Sequence, residues 1–158
     1  MASDPNNQIL LAPGMQGQIL AVGNPEAPHK PAESKYHANM PHPVGTVLIE
    51  RFKILKVLGK GSFGVVYQVK DDVTGKIMAL KAFKRKFPTW ELAMRNAEVK
   101  AMIGLKHSNI VTCTEVLLND SLLMIIFELL DMDLYRMMQM RKLNEDPFSH
   151  EEIRHIIR

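Results

Sequence analysis

From Val47 onward the apolar residues follow two rhythms, and each rhythm predicts an element. Phe52 and Ile54, then Val65, Tyr67 and Val69, alternate with polar neighbours, the period of a strand with one covered face. Residues 51–58, 65–70 and 77–83 therefore read as an antiparallel meander of strands. Its second connection, Asp71-Asp72-Val73-Thr74-Gly75-Lys76, has turn chemistry, with Gly75 free to take positive φ. After Pro88 the period lengthens. Thr89 is the predicted N-cap and Glu91 lies in the favourable first turn. Met94, Ala97, Ala101, Met102 and Leu105 recur at helical spacing, predicting one apolar face. Gly104 weakens the end of that helix. Strand-like runs return at 110–117 and 121–127, turned by Asn119-Asp120, and helix returns at 134–141. Ser149 and Glu152 stand at capping-box spacing and open a last helix.

The order βββ-α-ββ and then helices predicts an α+β fold: a five-stranded antiparallel sheet with one packed helix, followed by the first helices of a helical region. Residues 47–130 form the sheet domain and 131–158 the hinge and start of the helical part. Residues 1–46 read as a disordered tail. Pro5, Pro13, Pro25, Pro28, Pro31, Pro41 and Pro43 are most of the nine prolines, and neither rhythm is present there. Docking of a short segment near Ile9–Leu11 or Ile19–Val22 is the alternative.

Composition narrows the picture only a little. The chain has 158 residues, 46% apolar and 23% charged, which suits one domain of ordinary size. A net charge of +3 is too mild to demand nucleic acid, and the densest basic run, Lys84-Arg85-Lys86, reads as a solvated strand end. Cys113 is the single cysteine, which excludes an internal disulfide and suits a reducing compartment. The apolar runs at 9–12 and 122–127 are too short to cross a bilayer, and no secretory signal is evident. A cytoplasmic location without membrane or nucleic-acid partners is the expectation. His29, His37, His42, His107, His150 and His155 show no repeated ligand spacing, so no metal site is expected.

The chemistry concentrates in Leu58-Gly59-Lys60-Gly61-Ser62-Phe63-Gly64-Val65-Val66 and in Met78-Ala79-Leu80-Lys81. Gly-x-Gly-x-x-Gly alone is weak evidence. In dinucleotide folds, however, it leads from a strand into a helix, and here it leads into the strand-like run from Val65 to Val69. The glycines thus sit at a hairpin tip, where backbone amides approach phosphate oxygens closely. Walker spacing is not met. Lys81 lies between Leu80 and Ala82 on an interior-type strand, where lysine needs a partner. Glu98, on the inner face of the following helix, is that partner; taken alone it would be an ordinary helix surface charge. So paired, Lys81 is aimed at the α- and β-phosphates of ATP.

In order and spacing these elements resemble the N-lobe of a eukaryotic protein kinase. The resemblance extends over 52–158 and includes Leu105-x-His107-x-Asn109-Ile110 and Phe127-Glu128-Leu129-Leu130. Lys84-Arg85-Lys86-Phe87-x-x-Trp90, Glu98-Val99-Lys100 and Asp133-Leu134-Tyr135 are similar to the male-germ-cell-associated and intestinal-cell kinase type, within the CMGC group. The resemblance implies that Lys81 and Glu98 are the catalytic pair and that Gly59 to Val65, with Lys60, Ser62 and Phe63, cover the phosphates. Leu58, Val66 and Ala79 would enclose adenine, Phe127 would guard the back pocket, the backbone of Glu128 and Leu130 would bind the adenine edge, and Asp133 would reach the ribose. Met102 and Cys113 would join an apolar column between helix and sheet. ATP is the implied cofactor, protein hydroxyls the implied acceptors, and a ciliary, flagellar or nuclear location joins the cytoplasmic one.

Two departures stand out. Ala97 precedes the helix glutamate where many of the group carry arginine, which puts phosphorylation-dependent activation in doubt. Neither the family's His-Arg-Asp-x-x-x-x-Asn loop nor its Asp-Phe-Gly metal site occurs in these residues, so magnesium would need a helical lobe this sequence does not include. The expectation is the ATP-binding part of a protein serine/threonine kinase, truncated before its chemistry and inactive alone. The alternative is an inactive kinase-like binding or scaffold protein. Ile153, Ile156 and Ile157 form an apolar face on the last helix, predicting self-association or a covering protein.

Overall fold

The computed structural model describes residues 40–157 and, by backbone alone, two short strands near the start, β1 (Ile9–Leu10) and β2 (Ala21–Val22), which pair antiparallel. The remainder of the expected tail up to residue 39, and Arg158, lie outside the described residues. The main sheet contains β3 (Val47–Leu48), β4 (Phe52–Lys60), β5 (Gly64–Asp71) and β6 (Ile77–Lys86). Two helices follow, α1 (Trp90–Met94) and α2 (Ala97–Gly104), then β7 (Cys113–Asn119) and β8 (Leu122–Glu128). Helices α3 (Leu134–Leu143) and α4 (His150–Ile156) complete the described chain. The order across the sheet is β3-β4-β5-β6-β8-β7, every pairing antiparallel.

Period-two alternation gives this sheet two cores. Phe52, Ile54, Val65, Tyr67, Val69, Leu80, Ala82, Leu117, Met124 and Ile126 bury one face, with Leu48 and the partly buried Met40 and Ile49 over them. The residues between them on β6 and β8, Phe83, Leu123 and Ile125, face the other way and pack with Phe87, Ala93 and Val99 from the helical side. Helices α1 and α2 therefore cover one face of the sheet at its β6–β8–β7 end.

The sheet is curled, and one side chain shows by how much. The Arg51 guanidinium donates to both carboxylate oxygens of Asp71, at 2.9 and 2.8 Å, and to both oxygens of Glu115, each at 2.8 Å. Asp71 ends β5 and Glu115 lies on β7, three strand spacings or about 14 Å away in a flat sheet. One guanidinium reaches both only because the sheet rolls its edges together around the first core. Asp71 is also fastened by the Val73 N–H and the Thr74 hydroxyl.

Several expectations are corrected. The sheet has six strands rather than five, because β3 folds back on β4 through Ile49 and Glu50, both at positive φ (47° and 57°). Neither residue type advertises that conformation, and holding Ile49 there costs about 1–2 kcal/mol. Full burial of Leu48 contributes roughly 1.5–3 kcal/mol in return. The single expected helix is two, because Asn96 interrupts it: its side chain accepts from the Glu98 and Val99 amides and starts α2 afresh. Thr89 caps α1 as expected, accepting from the Leu92 N–H. The restart rotates the apolar face, so Ala97 and Leu105 are exposed while Ala93 and Val99 are buried. The β7–β8 turn is Asp120-Ser121, one residue later than expected, and β7 starts at Cys113 rather than Ile110.

Candidate functional site

Lys81 sits mid-strand on β6, opposite Val66 of β5 and Ile125 of β8. Leu80 and Ala82 on either side turn into the first core, so Lys81 emerges on the helix-covered face. Its ammonium pairs with Glu98 Oε1 and lies 5.2 Å above the centre of the Phe83 ring. Phe83 is held in turn by an edge-on contact with Phe87 at 5.9 Å. Glu98 occupies the first turn of α2, where the helix dipole favours a carboxylate. The lysine side chain is 22% exposed and Glu98 34%, so the pair is neither sealed off nor freely solvated. One carboxylate engages one of three ammonium donors, which leaves Lys81 able to contact an anion.

The other predicted residues divide by strand parity. Ala79 lies opposite Gln68 and Phe127 and shares a face with Lys81 and Val66. Leu58 follows Val57, which packs on the first core, so it belongs to that same face and is 44% exposed. Leu58, Val66, Ala79, Lys81 and Phe127 thus form one half-open apolar surface with a single ammonium in it. Val65 is corrected: its side chain is fully buried in the first core, on the side away from Lys81, so only its backbone is left to the site.

The glycine hairpin closes at Gly61–Gly64, where the Gly61 N–H donates to the Gly64 carbonyl at 2.9 Å. Lys60, Ser62 and Phe63 are exposed there. A Cβ on Gly64 would stand 2.4 Å from the Ala82 carbonyl oxygen, so the hairpin lies directly against β6. Gly59 differs: its missing side chain would meet nothing within 4 Å, and that of Gly61 only the Gly64 oxygen at 3.9 Å. Packing demands glycine at 64 alone.

Beyond the sheet, the predicted positions are less gathered. Glu128 closes β8, and Leu130 is exposed in the segment after it. Asp133 serves as the N-cap of α3, accepting from the Arg136 N–H at 2.7 Å. Met102 and Cys113 both pack on the second core. Burial pushes the Cys113 thiol up to about 11, and its Sγ donates to the Glu115 carbonyl at 3.7 Å. Among the described residues, no cluster of three or more His, Cys, Asp or Glu could hold a metal ion. None of their helices is long and apolar enough to cross a membrane.

Sequence reasoning missed Phe83 beneath Lys81 and Lys84 against the hairpin. Phe83 was findable, since it lies two residues along the same strand and must share its face. Lys84 was hidden inside a basic run, and only the fold of the hairpin gives it a partner.

Residues 52–158 match the model of the protein kinase domain. Cyclin-dependent kinase F-3 of Oryza sativa subsp. japonica is 38% identical over 109 residues, 69% of this chain and 24% of that protein. The serine/threonine-protein kinase MAK of Homo sapiens is 34% identical over 93 residues, and the serine/threonine-protein kinase ICK of Mus musculus 37% over 93. Each of those two alignments covers 59% of this chain and 15% of the relative. The chain spans about a quarter or less of the length of the curated relatives it matches.

Proposed function

Because this chain belongs to the protein kinase family, we propose that residues 52–130 are the ATP-binding part of a protein serine/threonine kinase. The observation that carries the reading is Lys81, held between Glu98 and the Phe83 ring on the half-open, helix-side face of the sheet. Lysine is rarely placed on an interior strand, and its pairing with one carboxylate leaves ammonium donors for a second anion. Gly59 and Gly61 add to this. Nothing among the described residues needs them bare, whereas a phosphate chain approaching the backbone does.

In this reading the adenine ring lies against the shared face of Leu58, Val66 and Ala79, with Phe127 behind it. The hairpin amides and the Lys81 ammonium receive the phosphates. Glu98 fixes the direction of Lys81, and Phe83 supports its stem. ATP supplies the transferable phosphoryl group. Transfer also needs magnesium and a base at the acceptor hydroxyl. Residues 1–158 contain neither motif, so the role assigned to them is gripping and orienting the nucleotide. The same proposal includes protein substrates, a cytoplasmic location, and a protein surface covering Ile153, Ile156 and Ile157, which are 46%, 41% and 76% exposed.

Thermal unfolding with and without ATP tests it. At ATP tenfold above its Kd, binding stabilises the wild type by about 1.4 kcal/mol. Lys81→Ala should lose most of that gain. No ATP-induced shift in the wild type removes nucleotide binding from the account; equal shifts in both proteins remove Lys81 from the site.

A further inference from the structure

We propose that Lys84 is a positioning residue for the glycine hairpin, holding it by its carbonyls so that its tip amides stay available to a triphosphate. The proposal rests on the ATP-binding reading above and adds a residue to it. Lys84 grips the tip twice. Its backbone N–H donates to the Phe63 carbonyl at 3.0 Å, and its ammonium donates to the Gly61 carbonyl at 2.8 Å. Backbone and side chain of one residue thus hold both sides of the turn.

The effect on the tip follows from counting donors and acceptors. The Gly61 carbonyl is bound by the ammonium, the Phe63 carbonyl by the Lys84 amide and the Gly64 carbonyl by the Gly61 amide. The amides of Ser62 and Phe63 make no hydrogen bond among the described residues. Carbonyl oxygens repel phosphate oxygens, and here three of the four tip carbonyls are engaged, all but that of Ser62 among the described residues, while two amide donors are left over. The ammonium also adds positive charge at the tip, beside that of Lys60 and beyond that of Lys81. An isolated surface lysine would contribute little. Lys84 differs from the residues beside it in making these two bonds; Arg85 instead stacks over the Phe87 ring at 5.4 Å.

The test uses the full chain as wild type, Lys84→Met and Lys84→Arg, with two readouts. Amide hydrogen exchange without nucleotide follows the Gly61 and Lys84 N–H groups, which report closure of the tip. Isothermal titration measures binding of ATP and of adenosine. In Lys84→Met, exchange at both amides should quicken about fivefold with an unchanged melting temperature. ATP should bind about fivefold more weakly while adenosine binds as before, and Lys84→Arg should restore most of each effect. Unchanged exchange in Lys84→Met overturns the tether even if ATP binds more weakly. Faster exchange with ATP and adenosine equally affected, or neither affected, overturns the positioning role. A wild type that binds no ATP sinks the nucleotide reading itself and the positioning role with it, a result distinguishable because the exchange arm still reports on the tether.

Discussion

Alanine at position 64 would place a Cβ 2.4 Å from the carbonyl oxygen of Ala82, 3.2 Å from its carbon and 3.4 Å from the Phe83 Cα. Real Cβ atoms essentially never approach within 3.0 Å, so something must move by at least about 0.6 Å. The neighbour cannot yield, because it is backbone of a central strand whose Leu80 and Ala82 side chains are fully buried. The hairpin must lift instead, straining the Lys84-to-Phe63 and Gly61-to-Gly64 backbone bonds. Overpacking typically costs about 1–3 kcal/mol, and a weakened hydrogen bond about 1 kcal/mol more. Gly64→Ala should therefore destabilise the chain by about 2–4 kcal/mol. Gly59→Ala is the matched control, with nothing near its new methyl group and no positive φ. It should be neutral or stabilise by up to about 1 kcal/mol, through a less flexible unfolded chain. Urea unfolding followed by the single tryptophan, Trp90, separates the two. With a slope of about 1–3 kcal/mol/M, their midpoints should differ by about 1 M or more. Coincident midpoints would refute the claim that the hairpin is seated on β6.

Three further outcomes follow from other parts of the fold. Hydrogen bonding to Arg51 holds the Asp71 carboxyl well below the usual carboxylate range. Its stabilisation is therefore full above the unfolded pKa near 4 and is lost as pH falls toward the folded one. The urea midpoint should drop between about pH 5 and pH 2; Asp71→Asn should cost about 2 kcal/mol at pH 7 and flatten that slope, and an unaltered slope would count against the network. Asn96→Ala should destabilise by about 1 kcal/mol in thermal melts, whereas no loss would mean that α2 does not depend on its cap. Cys113, pushed up to about 11 by burial, should react with a disulfide reagent at pH 8 about a hundredfold more slowly than the unfolded chain; equal rates would show an open thiol.

Much of the site was legible because strand periodicity is a local property. Alternation at Val65, Tyr67 and Val69 gave β5, and Leu80 and Ala82 on either side of Lys81 marked it as the odd polar residue on its strand. The Ser149–Glu152 capping box was readable in the same way, and the structure contains both of its bonds. Where local signals competed, reading failed. Asn96 falls within a run of helical spacing, and nothing in that spacing says that its side chain will end one helix and cap another. Ile49 and Asp120-Ser121 adopt positive φ without glycine because burial of their flanking strands compels it.

What the sequence by itself determined is the run of strands β4, β5, β6 and β8 with the helices after them, the apolar alternation of β4 and β5, and the presence of one lysine and one carboxylate suited to each other. Tertiary structure decided the distances. Antiparallel register brought Val66, Ala79, Lys81 and Phe127 onto one face, the restart of the helix at Asn96 turned Glu98 toward that face, and the curl of the sheet let Arg51 join strands three positions apart. These relations depend on contacts between residues far apart in the chain, and no window of neighbouring residues contains them.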